Sequence, residues 1–230
     1  MTTQADQRST MSRVLIIDDD DGVRELLSAA LTADGHDVLT ATDGLAGLHL
    51  ALHQAVDLVV LDLQLPHLDG YSLLKALRSE QPTLEILVLS ADTRLTSRVQ
   101  CLESGASDYL RKPFHVPELM ARVHARLRQA PSPSRTVAHS GGLQLDPSRL
   151  KVTLQGRPVA VSSKEFSLLS YLLQRVGDVC TRPELLREIW GYDFDADSNV
   201  VEVYISRLRH KLGNDMIETV RNVGYTYLVS

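Results

Sequence analysis

The chain has 230 residues, 43% of them apolar and 23% charged, with a formal charge of −5; that length accommodates two ordinary domains and the composition excludes a disordered chain. No apolar run approaches the roughly 20 residues of a bilayer span, and the polar stretch 1–12 lacks the core of a secretion signal. The two cysteines, Cys101 and Cys180, fall in different halves and match no metal spacing, so a reducing cytoplasm and no membrane association are expected.

The charge is unevenly spread. Residues 1–135 carry 13 Lys plus Arg against 18 Asp plus Glu, and residues 136–230 carry 11 of each. Any nucleic-acid binding by the second half must therefore come from a local basic patch.

Residues 1–12 read as a disordered tail. From Arg13 to Arg128, short apolar runs alternate with amphipathic segments, the βαβ signature of a doubly wound, five-stranded parallel sheet. Strands are expected at 13–17, 38–41, 58–62, 85–89 and 108–111, and helices over 23–31, 45–52, 71–77, 96–103 and 117–128. Gln129–Arg135 contains two prolines and two serines and reads as a solvated linker between domains. Beyond it the period changes. Leu143, Leu145, Val152, Leu154, Val159 and Val161 alternate with polar residues, predicting a small antiparallel sheet with turns at Asp146-Pro147 and Gln155-Gly156. A helix capped by Ser162 or Ser163 follows, through Leu173, then a short helix over 183–190, a third over 199–212 and a hairpin over 217–229. The second domain, 136–230, is thus α+β.

Four strand ends carry chemistry: Asp18-Asp19-Asp20-Asp21, then Asp62, then Ser90, then Lys112 before Pro113. Parallel strands present their carboxyl ends on one side, so these groups converge on one pocket. Clustered carboxylates need a counter-charge, which a hard cation with oxygen ligands, Mg²⁺, supplies. Lys112 and the Ser90 hydroxyl are then free to meet an anion, most simply a phosphoryl group accepted by Asp62. Taken singly, each feature would pass for an ordinary surface loop.

In the second half, a wheel centred on Val201 places Ile205, Leu208 and Leu212 on a core stripe. Asn199, Val200, Val203, Ser206, Arg207 and His210 occupy the opposite face, flanked by Arg209 and Lys211. Guanidinium forks and small apolar groups suit major-groove edges.

Residues 13–128 resemble a response-regulator receiver domain (flavodoxin/CheY-like), through the acid pair Asp18-Asp19, Asp62, Ser90, Tyr109 and Lys112-Pro113-Phe114. Residues 136–230 resemble the winged-helix domain of the OmpR/PhoB subfamily, through Ser163-Lys164-Glu165-Phe166, Glu188-Ile189-Trp190-Gly191, Asn199–Arg209 and Glu218–Tyr225. The resemblance implies Asp62 as phosphoacceptor, Mg²⁺ on Asp19, Asp62 and the Gln64 carbonyl with Asp18 acting through water, and Ser90 and Tyr109 as a switch pair. It implies a sensor histidine kinase as donor, a homodimer formed on phosphorylation through Arg98, Glu103, Asp108, Glu118 and Arg122, and direct-repeat promoter DNA and RNA polymerase as partners. The helix from Asn199 to Lys211, with Tyr204, would read the major groove, and the wing from Arg221 to Tyr225 would lie beside the minor groove. Two departures stand out: Thr226 replaces a frequent arginine, and Asp92 stands where the subfamily often has a basic residue, where with Gln64 it is expected to set phosphoryl lifetime. Rival readings are a haloacid-dehalogenase-type phosphatase, which wants an acid where Gln64 stands, and a DNA-binding protein with a vestigial receiver.

Overall fold

The structure is a computed structural model that describes residues 11–66, 68–92, 94–127, 138–140, 142–147, 149–191 and 199–228. The expected tail, apart from Met11 and Ser12, and the expected linker 129–135 lie outside these residues. In the first half, β1 (Arg13–Ile17), α1 (Asp21–Ala33), β2 (Asp37–Ala41), α2 (Gly44–His53), β3 (Leu58–Asp62), α3 (Gly70–Glu80), β4 (Glu85–Ser90), α4 (Leu95–Glu103), β5 (Asp108–Arg111) and α5 (Val116–Leu127) follow in the expected order. The strands pair in the order β2-β1-β3-β4-β5, all parallel. Strand alternation divides the core. Val14, Ile16, Leu58, Val60, Leu87 and Leu89 face α1 and α5, while Leu15, Ile17, Val59, Leu61, Ile86 and Val88 face the other side, so helices cover both surfaces.

The helix starts follow local chemistry. Asp20, Asp43 and Asp69 cap α1, α2 and α3 by accepting from backbone N–H groups, which satisfies donors that have no partner inside the helix. Gly70 opens α3 against the Asp62 loop, where a Cβ would stand 2.4 Å from the Leu63 Cα and 2.7 Å from the Asp62 carbonyl oxygen. Only glycine permits that approach.

In the second half, β6 (Ala138–Ser140), β7 (Leu143–Asp146), β8 (Lys151–Leu154) and β9 (Arg157–Val159) form an antiparallel sheet in sequence order. Gln155 and Gly156 both have positive φ, 50° and 78°, as a two-residue hairpin turn needs. Next come α6 (Ser163–Leu173), β10 (Cys180–Thr181), α7 (Arg182–Leu185), α8 (Val200–Leu212), β11 (Ile217–Val220) and β12 (Gly224–Tyr227). Ser162 and Glu165 cap α6 reciprocally. The helix expected over 183–190 is two pieces: α7 passes into a wider π-type turn at Leu186–Trp190, closed by Gly191 in a left-handed conformation.

The two halves pack together. Ser163 Oγ donates to the Thr83 carbonyl at 2.9 Å, Lys164 Nζ to Ala125 O at 3.2 Å and Ile189 O at 2.9 Å, and Arg126 Nη2 to Trp190 O at 3.2 Å. A single apolar cluster continues from Cys101, Leu102 and Ala106 into Trp190, Val203 and Tyr204.

Candidate functional site

Three of the four strand ends meet, those of β1, β3 and β5. Asp18, Asp19 and Asp62 bring carboxylate oxygens within 4.8 Å of one another. Lys112 Nζ donates to Asp18 Oδ2 at 2.7 Å and to Asp62 Oδ2 at 2.5 Å. Asp18 and Asp62 are buried, Asp19 is exposed, and Lys112 is partly buried. Burial, the largest influence, lifts the Asp18 carboxyl above its ordinary range even with Lys112 beside it. Burial works against the Lys112 charge too, but its hydrogen bonds to Asp18 and Asp62 outweigh it and raise the ammonium. The loop is held by its own backbone: Asp20 N–H donates to Asp18 Oδ1 and Gln64 N–H to Asp62 Oδ1, both at 3.0 Å.

This donor set fits a hard divalent cation. All candidate ligands are oxygens, one carboxylate is open to solvent, and an ammonium already stands between two of the acids as a monovalent counter-charge. The remaining tip groups lie along the adjoining strand ends. Ser90 Oγ accepts from Asp92 N–H at 3.1 Å, and the Tyr109 hydroxyl donates to the Asp92 carbonyl at 2.5 Å, its ring buried. The Asp92 carboxylate is engaged by Arg94 at 2.6 Å and by the Ser97 hydroxyl at 2.7 Å, which hold it at the start of α4.

The charged residues expected on a dimer face are in part tied within the chain. Asp108 is buried and pairs with Arg122 at 3.1 Å and Arg126 at 3.8 Å, and Arg122 also reaches Glu118 at 3.0 Å. Glu103 is exposed and Arg98 half-buried on α4.

The α8 helix departs from the open surface its sequence suggests. Val201, Ile205, Leu208 and Leu212 form the core stripe, but Val200 and Val203, expected on the opposite face, and Tyr204, expected to contact DNA, are buried as well. For Tyr204 the first half of the chain contributes, since α8 packs against it at α4. Tyr204 donates to the Ala106 carbonyl at 3.0 Å and meets Trp190 edge to face at 5.2 Å, and Arg207 reaches the Leu102 carbonyl at 3.4 Å. Arg207 and Lys211 also pair with the fully buried Glu165, at 3.0 and 2.7 Å. Arg209 donates to Ile217 O and to Thr219. Ser206 and His210 remain exposed, Asn199 is half-buried, and Arg221 is exposed at the wing turn. Tyr225 and Thr226 are buried in the hairpin rather than presented outward, because Tyr225 sits between Cys180 and Thr219 in the β10-β12-β11 sheet.

Sequence reasoning missed the residues that join the halves. Lys164 and Arg126 are buried cations bonded to backbone carbonyls across the contact, and Glu165, read from the sequence only as part of a motif, is the anion for two α8 cations. The sole available signal was a Lys-Glu pair at the start of an otherwise apolar helix.

Comparison with known proteins agrees with this architecture. Residues 14–124 match the family described as response regulator receiver domain, and residues 156–227 match the family described as transcriptional regulatory protein, C terminal. The chain is similar to the transcriptional regulatory protein PrrA of Mycobacterium tuberculosis, with 42% identity over 224 residues, 94% of this chain and 96% of that protein. Among solved structures it resembles a mutant of RitR, with a TM-score of 0.78 at 27% identity, covering 95% of this chain and 100% of the other. It also resembles the response regulator DrrB, an OmpR/PhoB homologue of Thermotoga maritima, with a TM-score of 0.53 at 28% identity over the same shares.

Proposed function

Given that this chain belongs to the response regulators, joining a receiver domain to an OmpR/PhoB-type transcriptional regulatory domain, we propose that it takes a phosphoryl group from a sensor histidine kinase onto Asp62 and thereby releases its DNA-binding helix for promoter DNA. An Asp62 carboxylate oxygen attacks phosphorus, the bond from phosphorus to the kinase imidazole breaks, and the imidazole leaves with the electron pair. Bound Mg²⁺ would supply charge neutralisation for the incoming phosphoryl oxygens. Asp18, Asp19, Asp62 and the Gln64 carbonyl would hold it. Lys112 exchanges a carboxylate partner for a phosphoryl oxygen, and the Ser90 hydroxyl turns to donate to another. Hydrolysis of the acyl phosphate returns Asp62 to its free state, so the only catalysis is self-directed.

The observation that carries this reading is Lys112 Nζ bonded at once to Asp18 and Asp62, a cation already placed where an anion on Asp62 would need it. In this arrangement α8 packs against α4 and the segment leading into β5, while α5 meets Lys164 and Trp190. Dimerisation through the α4–β5–α5 face and release of α8 would then be coupled where the two surfaces overlap, at α4. Cytoplasmic action on direct-repeat promoters with RNA polymerase completes the proposal, consistent with the absence, among the described residues, of a helix long and apolar enough to cross a membrane.

The test is mass spectrometry of the full chain incubated with Mg²⁺ and a small acyl-phosphate donor. The wild-type chain should gain one phosphoryl group, localised to Asp62 by peptide mapping, and Asp62→Asn should gain none. Equal labelling of both proteins would refute Asp62 as the acceptor.

A further inference from the structure

A second cluster of ligating groups lies away from the strand tips, at the amino-terminal edge of the sheet. Asp34 ends α1, His36 precedes β2, and His124 sits in the last turn of α5. Their ligand atoms lie within 4.8 Å of one another. Asp34 Oδ2 is 2.5 Å from His124 Nε2 and 3.1 Å from His36 Nε2. His36 is 11% exposed in its side chain; its Nε2 faces Asp34 Oδ2, and its Nδ1 is buried without a hydrogen-bond partner. An imidazole in that state has an unused lone pair, which is costly to bury unless something accepts it.

We propose that Asp34, His36 and His124 form a site for a divalent transition-metal ion of the zinc class, with each imidazole coordinating through Nε2, the carboxylate through Oδ2, and water completing the exposed side. Three ligand atoms that already converge on one another need only small shifts to become ligands of a shared third atom. Zinc to nitrogen or oxygen distances of about 2.0–2.2 Å in a tetrahedron put neighbouring ligands about 3.3–3.5 Å apart. The His36 to Asp34 separation already approximates this, and the half-exposed His124 has room to draw back. Imidazole donors favour zinc-class ions over Mg²⁺, so this site and the all-oxygen acid pocket would sort two different metals. The site borders the domain contact, since Ala125 and Arg126 follow His124 and bond across to Lys164 and Trp190.

Among the described residues, one other histidine pair could compete. His49 and His53 stack on the exposed α2 with ring centroids 4.3 Å apart. The test is therefore zinc competition against a chromophoric chelator on the full chain, with Mg²⁺ in excess, in the wild-type background and in His49→Ala/His53→Ala. The proposal expects one zinc per chain to persist in that double variant. Within it, His36→Ala or the surface change His124→Gln should weaken binding by at least about tenfold, the lower end even for residues that merely stand behind a ligand. Zinc binding that disappears with His49 and His53, or that survives unchanged when His36 and His124 are both replaced, overturns the site.

Discussion

The Tyr204 hydroxyl donates to the Ala106 carbonyl at 3.0 Å, linking α8, the helix proposed to meet DNA, to the segment between α4 and β5 of the receiver. With the Arg207 to Leu102 contact beside it, that bond makes the receiver a partial cover for the helix proposed to face DNA. Apparent DNA affinity is then the intrinsic affinity reduced by the fraction of molecules in which the two halves have parted.

Loosening the cover without touching the DNA face should raise binding. Lys164 is buried and bonds Ala125 O across the contact, and it is not among the candidate DNA contacts. Losing a hydrogen bond made by a charged group costs about 1.5–3 kcal/mol, so Lys164→Met should raise the affinity of the unphosphorylated chain for its promoter by about tenfold or more. Fluorescence anisotropy at fixed salt measures this; an unchanged affinity would show that this contact does not limit access.

Glu165 is fully buried between Arg207 and Lys211. Removing one member of a buried ion pair typically costs about 3 kcal/mol, so Glu165→Gln should destabilise the second half by about that much. Denaturant unfolding followed at Trp190, the chain's one tryptophan and fully buried, reads the change; a shift below about 1 kcal/mol would mark the pair as dispensable.

Both thiols should be inert in the native chain. Cys101 and Cys180 are buried, and burial pushes the Cys101 thiol up to about 12. Alkylation near neutral pH should label neither before unfolding and both in denaturant. Rapid labelling of Cys101 in the unphosphorylated wild type would mean that α4 is not packed as described.

The effect of Mg²⁺ on stability should depend on pH in a defined direction. Burial raises the folded Asp18 carboxyl above its ordinary 3.8, so the contribution of that group is fully present below 3.8 and is lost as pH rises through the raised value. A bound dication favours the charged form and opposes that loss. Thermal unfolding with and without Mg²⁺ should therefore show a larger stabilisation at about pH 7.5 than at about pH 5. The reverse order would contradict a site built on Asp18 and Asp62.

The receiver was almost wholly legible in the sequence because its strands are continuous apolar runs and its functional groups sit at their ends. Asp18, Asp62 and Ser90 each follow such a run, Lys112 follows the shorter, mixed strand Asp108–Arg111, and the meeting of Asp18, Asp62 and Lys112 is a matter of topology. The α8 surface was not legible. A helical wheel separates one face of Val201, Ile205, Leu208 and Leu212 from the other, yet it cannot say that Tyr204 meets a separate part of the chain. The same limit hid Lys164 and Arg126, whose partners are backbone carbonyls with no sequence signature. Asp34, His36 and His124 come together only because α1 and α5 share one face of the sheet.

The central claim is that phosphate on Asp62 uncovers α8, and promoter binding measured with and without an acyl-phosphate donor at one ionic strength tests it most directly. The account predicts that phosphorylation tightens binding of the wild-type chain by at least about tenfold and leaves Asp62→Asn at the unphosphorylated value. Equal affinity of the phosphorylated and unphosphorylated wild-type chain for the same DNA would contradict it.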